Sequence, residues 1–162
     1  MFEDQIKFIQ KSGIVTAMVG LLNAPLGTKL FKRLSREKRM LSNFTGNNMD
    51  GSINFIPKMN YPELMAGYTN IIKTIYSQKE YYQRLKQFLH HYELPSWKSG
   101  NLSIIEIKAF LRSLWLLGLF EKGKKYYWKI FAYSLFKYPG KFPLAITMAV
   151  YGYHFRRVAA TI

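Results

Sequence analysis

The apolar run Ile14–Leu22 (IVTAMVGLL) constrains this chain more than any other stretch. It ends at the sharp tetrapeptide Pro25-Leu26-Gly27-Thr28, and a strongly basic segment follows at once. A run rich in β-branched residues and lacking polar alternation predicts a strand covered on both faces, as in a parallel sheet. Proline and glycine then turn the chain. Thr28 can cap a helix over residues 29–41 whose inward stripe is Leu30, Phe31 and Leu34. Lys29, Lys32, Arg33, Arg36, Lys38 and Arg39 make that helix basic, relieved only by Glu37. Ahead of the run, Phe2, Ile6 and Ile9 recur at helical spacing, and Ser12-Gly13 closes that helix. Helix, strand, turn and helix form one α/β unit. A lone parallel strand has no partner of its own kind in this sequence, so it needs a neighbouring sheet from a preceding segment, pairing across a homodimer, or an improvised packing.

Everything after residue 61 reads as helix. Asn60-Tyr61-Pro62-Glu63 supplies a cap, an early proline and a capping-box glutamate. Leu64, Tyr68, Ile71, Ile72 and Ile75 then share one face. Ser77 and Glu80 repeat the capping box ahead of Tyr81, Leu85, Phe88, Leu89 and Tyr92. Ser103 and Glu106 repeat it again ahead of Ile104, Ile107, Leu111, Leu114 and Trp115. Two more helices are expected near Lys125–Lys137 and Pro143–Arg156, split by Tyr138-Pro139-Gly140. Between the two parts, residues 42–61 are irregular: Gly46-Asn47-Asn48 and Asp50-Gly51 are turn chemistry beside a short extended candidate at Ser52–Ile56. The expected organisation is therefore an α/β unit over 1–41, a connector over 42–61 and a helical bundle over 62–162, mainly α overall.

Composition excludes several chemistries. The chain has no cysteine, which removes disulfides, thiolate nucleophiles and cysteine-held metals together. Only nine acidic residues are present, without a pair in glycosidase or metal-cage context. There is no Gly-x-Ser-x-Gly elbow and no phosphate-binding Gly-x-x-x-x-Gly-Lys-Ser/Thr loop. His90 and His91 are adjacent and point about 100° apart on a helix, so they cannot chelate one ion together, and His154 stands among aromatics. No catalytic residue and no metal site are predicted. Glu3 and Asp4 spoil the basic start that a signal peptide requires, and no apolar run approaches the ~20 residues of a membrane span. The Asn43-Phe44-Thr45 triplet reads as a chance match to a glycosylation acceptor. A cytoplasmic chain is expected, with peripheral membrane contact as a further option.

Ordered segments carry a resemblance to a known family. They are Gly13–Thr28, the basic stretch to Leu41, Asp50-Gly51-Ser52-Ile53-Asn54-Phe55-Ile56-Pro57-Lys58-Met59, Gly67–Leu89 with Ile75-Tyr76-Ser77 and Tyr81-Tyr82, and Phe142-Pro143-Leu144-Ala145-Ile146 to His154-Phe155-Arg156. Together they resemble the last β/α unit of a radical S-adenosylmethionine (SAM) barrel and the poorly characterised domain that follows it in cobalamin-binding radical SAM proteins, the group that includes hopanoid methylases. The resemblance implies an upstream barrel with an iron–sulfur cluster on a Cys-x-x-x-Cys-x-x-Cys loop and a separate cobalamin domain, in the same polypeptide or another chain. Neither motif is in this sequence, so this chain alone is expected to hold no cofactor and to be inactive by itself. The resemblance places the adenine of SAM against the end of the last strand, which corresponds here to Gly20, Leu22, Asn23 and Ala24; the plain alternative is that Asn23-Ala24-Pro25 turns the chain. Asp50, Ser52, Asn54 and Met59 lie in a turn-rich segment suited to line a substrate pocket, or simply to satisfy loop backbone.

The net charge of +15 is concentrated late: from Lys122 to Ile162 there are eight basic residues and no acidic one, interleaved with aromatics. Three readings compete. Lys124, Lys125, Lys129, Lys137 and Lys141 could meet anionic headgroups while Tyr126, Trp128, Phe131 and Phe136 enter the interface. The same groups could contact phosphates and stack bases, although no nucleic-acid motif supports that version. They could equally form a helical core with a solvated basic face. Two functional expectations follow: the accessory, substrate-side region of a cobalamin-dependent radical SAM enzyme, with methyl transfer to a lipid-like or other apolar substrate as one option, or a non-catalytic basic aromatic helical module on an anionic membrane surface or an acidic partner.

Overall fold

The computed structural model describes residues 1–41, 52–93 and 103–161, with the Glu106 side chain excepted. Among the described residues there are seven α-helices: α1 (Phe2–Ser12), α2 (Lys29–Arg36), α3 (Tyr61–Ile75), α4 (Gln78–His91), α5 (Ile104–Ser113), α6 (Lys124–Lys137) and α7 (Phe142–Ala159). The chain is mainly α, as its periodicity predicts. Local chemistry sets several of the helix ends. Gly13 stops α1 at φ 70°, where a side chain is disfavoured. The 25–28 turn closes through Thr28 N–H to Pro25 C=O at 3.3 Å, with Gly27 at φ 85°. The Thr28 hydroxyl then accepts from Phe31 N–H at 3.1 Å and starts α2. Ser77 Oγ caps α4 through Glu80 N–H. Asn60, by contrast, precedes α3 without a side-chain cap bond.

Three expectations are corrected. The α2 helix stops at Arg36 rather than running to Leu41: Lys38 turns left-handed (φ 57°), and Met40 pairs antiparallel with Phe55 as an isolated bridge. Leu41 N–H bonds Asn54 C=O at 2.9 Å and Ile56 N–H bonds Arg39 C=O at 2.8 Å, so residues 39–41 and 54–56 close a small second core of Ala24, Leu34 and Phe55. The run Ile14–Leu22 is extended but belongs to no sheet among the described residues. Finally, the face Ile104, Ile107, Leu111 and Trp115 points outward. A π-helical segment, Leu114–Phe120, continues α5 with a wider turn and shifts the register, so that Leu117 and Gly118 become the buried residues. The inner side of α5 carries Phe110 and Ser113, whose hydroxyl lies 3.0 Å from the Tyr127 hydroxyl. The predicted turns at Gly46-Asn47-Asn48 and Asp50-Gly51 lie outside the described residues.

The main core is built by α1, α3, α4, α6 and α7 around Ile71, Ile72, Ile75, Leu85, Leu89 and Ile130. Tyr81 from α4 donates to the Met148 carbonyl at 2.6 Å, and its ring occupies the notch that Gly152 leaves on α7. The extended run lies against this core.

Candidate functional site

Along the extended run, exposure alternates with the two-residue period of a strand. Val15 and Leu21 are buried at 5% and 8%, whereas Met18 and Leu22 are 77% and 65% exposed. One face therefore sits on the helices and the other is open. The backbone finds partners, but they are side chains. The Tyr76 hydroxyl donates to Ala17 C=O at 2.8 Å and accepts from Ala17 N–H at 3.1 Å. Arg84 is buried, and its guanidinium donates to Ile14 C=O (3.0 Å), Gln10 Oε1 (2.7 Å) and Val15 C=O (3.4 Å). Gln10 in turn donates to Glu80, joining the guanidinium to a carboxylate through an amide. Burial pushes the Arg84 guanidinium below its ordinary value and the Tyr76 and Tyr81 hydroxyls above theirs. Each such bond contributes roughly 1 kcal/mol net, and more for those from the charged guanidinium. This set of side chains replaces a neighbouring strand on the inner side. Between Met18 and Leu22 no backbone group bonds to another backbone group among the described residues.

At the end of the run, residues from both predicted groups meet. Asn54 Oδ1 accepts from Ala24 N–H at 2.9 Å and Asn54 Nδ2 donates to Ala24 C=O at 3.0 Å. Asn54 N–H donates to Asn23 Oδ1 at 2.9 Å, and Asn23 Nδ2 donates to Ser52 C=O at 3.1 Å. Asn23, Ala24 and Asn54 are all buried. The arrangement is a two-asparagine clasp in which both backbone groups of Ala24 are taken. Gly20 and Leu22 are exposed, and Gly20 lines a shallow groove of about 830 Å³ between α1 and the open face of the run. Met59 is half-buried away from the clasp, and Asp50 lies outside the described residues.

The basic tail is arranged on aromatic rings. Lys125 and Lys129 lie 5.1 and 5.7 Å from the Tyr126 ring, Lys137 lies 5.7 Å from Tyr133, and Lys141 lies 4.8 Å from Tyr138 while donating to Leu89 C=O. Lys124 is exposed. Trp128 is half-exposed, its indole N–H held by Gly118 C=O at 2.9 Å. His90 Nδ1 lies 2.7 Å from the Tyr138 hydroxyl and His91 Nδ1 lies 2.9 Å from Gln87 C=O. Among the described residues no group of three histidine or carboxylate side chains could hold a metal, and no helix is long and apolar enough to cross a membrane.

Arg84 and Tyr76 were not singled out from the sequence. One signal existed: Arg84 interrupts the apolar side of α4 between Tyr81 and Phe88, where a charge has no place unless it is paired.

Among known proteins, residues 28–162 match the family described as Domain of unknown function (DUF4070). The chain belongs to that family. The match begins at the residue that caps α2, leaving α1 and the extended run ahead of it. Over 154 residues the chain is 25% identical to a protein of Synechocystis sp. named an uncharacterized methyltransferase, an alignment that covers 93% of this chain and 28% of that protein. The chain thus spans little more than a quarter of this relative's length. No solved structure matches it.

Proposed function

We propose, from the resemblance of its ordered segments and its similarity to a protein named an uncharacterized methyltransferase, that this chain is the substrate-side region of a methyl-transferring enzyme of the cobalamin-dependent radical SAM type, acting on an apolar substrate. One observation carries the reading. The run Ile14–Leu22 has its inner side satisfied by Tyr76 and Arg84 but keeps an open backbone edge and an apolar outer face, as the last strand of a larger sheet would. The much greater length of the relative named a methyltransferase supports it.

The fit to each group differs. An iron–sulfur cluster does not fit this chain, which has no cysteine, so no step is assigned to it here. For SAM, Gly20 and Leu22 carry exposed backbone able to meet an adenine edge. Ala24 cannot contribute, because Asn54 already occupies its N–H and C=O. No residue is assigned to cobalamin, which in this type of enzyme carries the methyl group. The work of the chain's own residues is positional: Asn23 and Asn54 fix where the run ends, and Tyr76 and Arg84 hold it against the helices.

The test is the size of the native protein in its source cells, read with an antibody raised against this chain. The expected band exceeds the 19.0 kDa of the chain by two further domains of roughly 100–250 residues each. A band at 19.0 kDa with no co-purifying barrel chain refutes the enzyme reading.

A second reading, a non-catalytic module on an anionic surface, is favoured by the exposure of Phe136 (85%) and Trp128 (43%) on the lysine-rich α6. Binding to phosphatidylglycerol vesicles that weakens steeply with salt supports it; salt-insensitive binding or none removes it.

A further inference from the structure

The outer side of α7 faces α5 across two cavities that share Ala109 and Val150 and so form one groove. Its α7 wall runs Pro143, Ile146, Val150, His154 and Arg157, a single stripe at helical spacing that extends about 21 Å. The two halves differ in chemistry. Toward Pro143 the cavity, about 380 Å³, is lined by Phe110, Phe142 and Ile146 with no charged side chain. Toward Arg157 it widens to about 620 Å³, and Arg112 from α5 and Arg157 and His154 from α7 surround a floor that includes Leu116, Leu117 and Val158. Among the described residues that end carries no carboxylate, and neither guanidinium has an ion-pair partner.

We propose that this groove binds a single-chain anionic amphiphile, with the acyl chain along the Phe110–Ile146 half and a carboxylate or phosphate head between Arg112 and Arg157. Three physical points select this occupant. An apolar trough alone would accept any greasy segment, but a trough ending in two guanidiniums that have no ion-pair partner among the described residues favours one that ends in an anion, which Arg can engage through two parallel N–H bonds. The 21 Å stripe matches the reach of a long-chain acyl group rather than a short acid. A second copy of this chain is disfavoured at a cationic rim because the chain itself carries a net charge of +15. The site shares no residue with the extended run or the asparagine clasp, so it stands apart from the enzyme reading.

The test uses the purified full chain and hexadecanoate below its aggregation threshold, followed by calorimetry and by displacement of a dansylated fatty acid. Saturable binding of about one molecule per chain is expected, with hexadecyl phosphate equivalent and hexadecyltrimethylammonium at least about tenfold weaker. Arg112→Ala combined with Arg157→Ala should weaken hexadecanoate by about tenfold or more, and Val150→Trp should block it. Lys125→Ala with Lys129→Ala on α6 should leave it unchanged. Circular dichroism confirms that each variant folds. Equal binding of the cationic surfactant, or equal loss in the α6 variant, overturns the proposal in favour of general surface charge. Binding to phosphatidylglycerol vesicles without any binding of monomeric hexadecanoate overturns it in favour of a membrane surface. Dimerisation that the Val150→Trp variant abolishes, with no ligand binding, overturns it in favour of a second copy.

Discussion

Replacing Asn54 by alanine tests the clasp directly. The side chain makes two bonds to a residue with no solvent exposure: Oδ1 accepts from Ala24 N–H at 2.9 Å and Nδ2 donates to Ala24 C=O at 3.0 Å. Asn54 itself is 3% exposed, so water does not replace the amide without opening the Ala24–Leu34–Phe55 core. Asn54→Ala then leaves a buried N–H and a buried C=O without partners, at about 1–3 kcal/mol each, for a combined loss of about 2–6 kcal/mol. For a chain of this size that lowers Tm by about 4–24 °C. Urea unfolding followed by far-ultraviolet circular dichroism should show a lower midpoint with an unchanged slope. Asn54→Asp sharpens the test. A carboxylate still accepts from Ala24 N–H but faces Ala24 C=O lone pair to lone pair, so this variant should be at least as unstable as the alanine at neutral pH and should recover as the carboxyl is protonated in acid. A loss below about 0.5 kcal/mol in Asn54→Ala, or an Asn54→Asp protein as stable as the parent at neutral pH, refutes the reasoning.

Arg84→Met should cost about 2–4 kcal/mol by stripping the carbonyls of Ile14 and Val15 and Gln10 of their donor, and Arg84→Lys should recover only part, since one ammonium cannot span the three acceptors; a methionine variant unfolding at the parent's urea midpoint counts against this role. Gly152→Ala should destabilise by about 1–3 kcal/mol, because the new methyl would stand 2.3 Å from the Tyr81 ring, and combining it with Tyr81→Ala should remove most of the additional loss in a double-mutant cycle. Alkaline pH should unfold the chain: burial raises the Tyr76 and Tyr81 hydroxyls above 10.0, so their contribution is intact below about pH 10, where unfolded tyrosine stays neutral, and is lost as pH rises beyond it. Urea midpoints from about pH 9 to about pH 12 should fall less steeply in Tyr81→Phe than in the parent; parallel slopes would show that its ionisation is not the cause.

The sequence by itself determined the helical elements whose signals are local. The inward stripes of α3 and α4, the Ser77 cap, the left-handed stops at Gly13 and Gly27 and the absence of cysteine-based chemistry can all be read within a few residues, because helix periodicity and φ preference are properties of neighbouring backbone. The run Ile14–Leu22 was legible only as an apolar, β-branched stretch. The cover on both faces and the parallel sheet expected from its lack of polar alternation are not what the structure shows, since Met18 and Leu22 are exposed and the run joins no sheet among the described residues. What satisfies it was not legible. Its donors and acceptors come from Tyr76 and Arg84, 59 to 70 residues away, and its end is clasped by Asn54, 30 residues on. Neither the outward turn of the α5 face nor the π-helical segment that follows it is marked by a local pattern, and the groove that sets Ala109 and Arg112 opposite Val150 and Arg157 arises only where α5 and α7 pack. Partner choice over such separations is decided when helices pack and buried polar groups must all find a mate at once; that is a condition on the whole fold, and no short stretch of residues contains it.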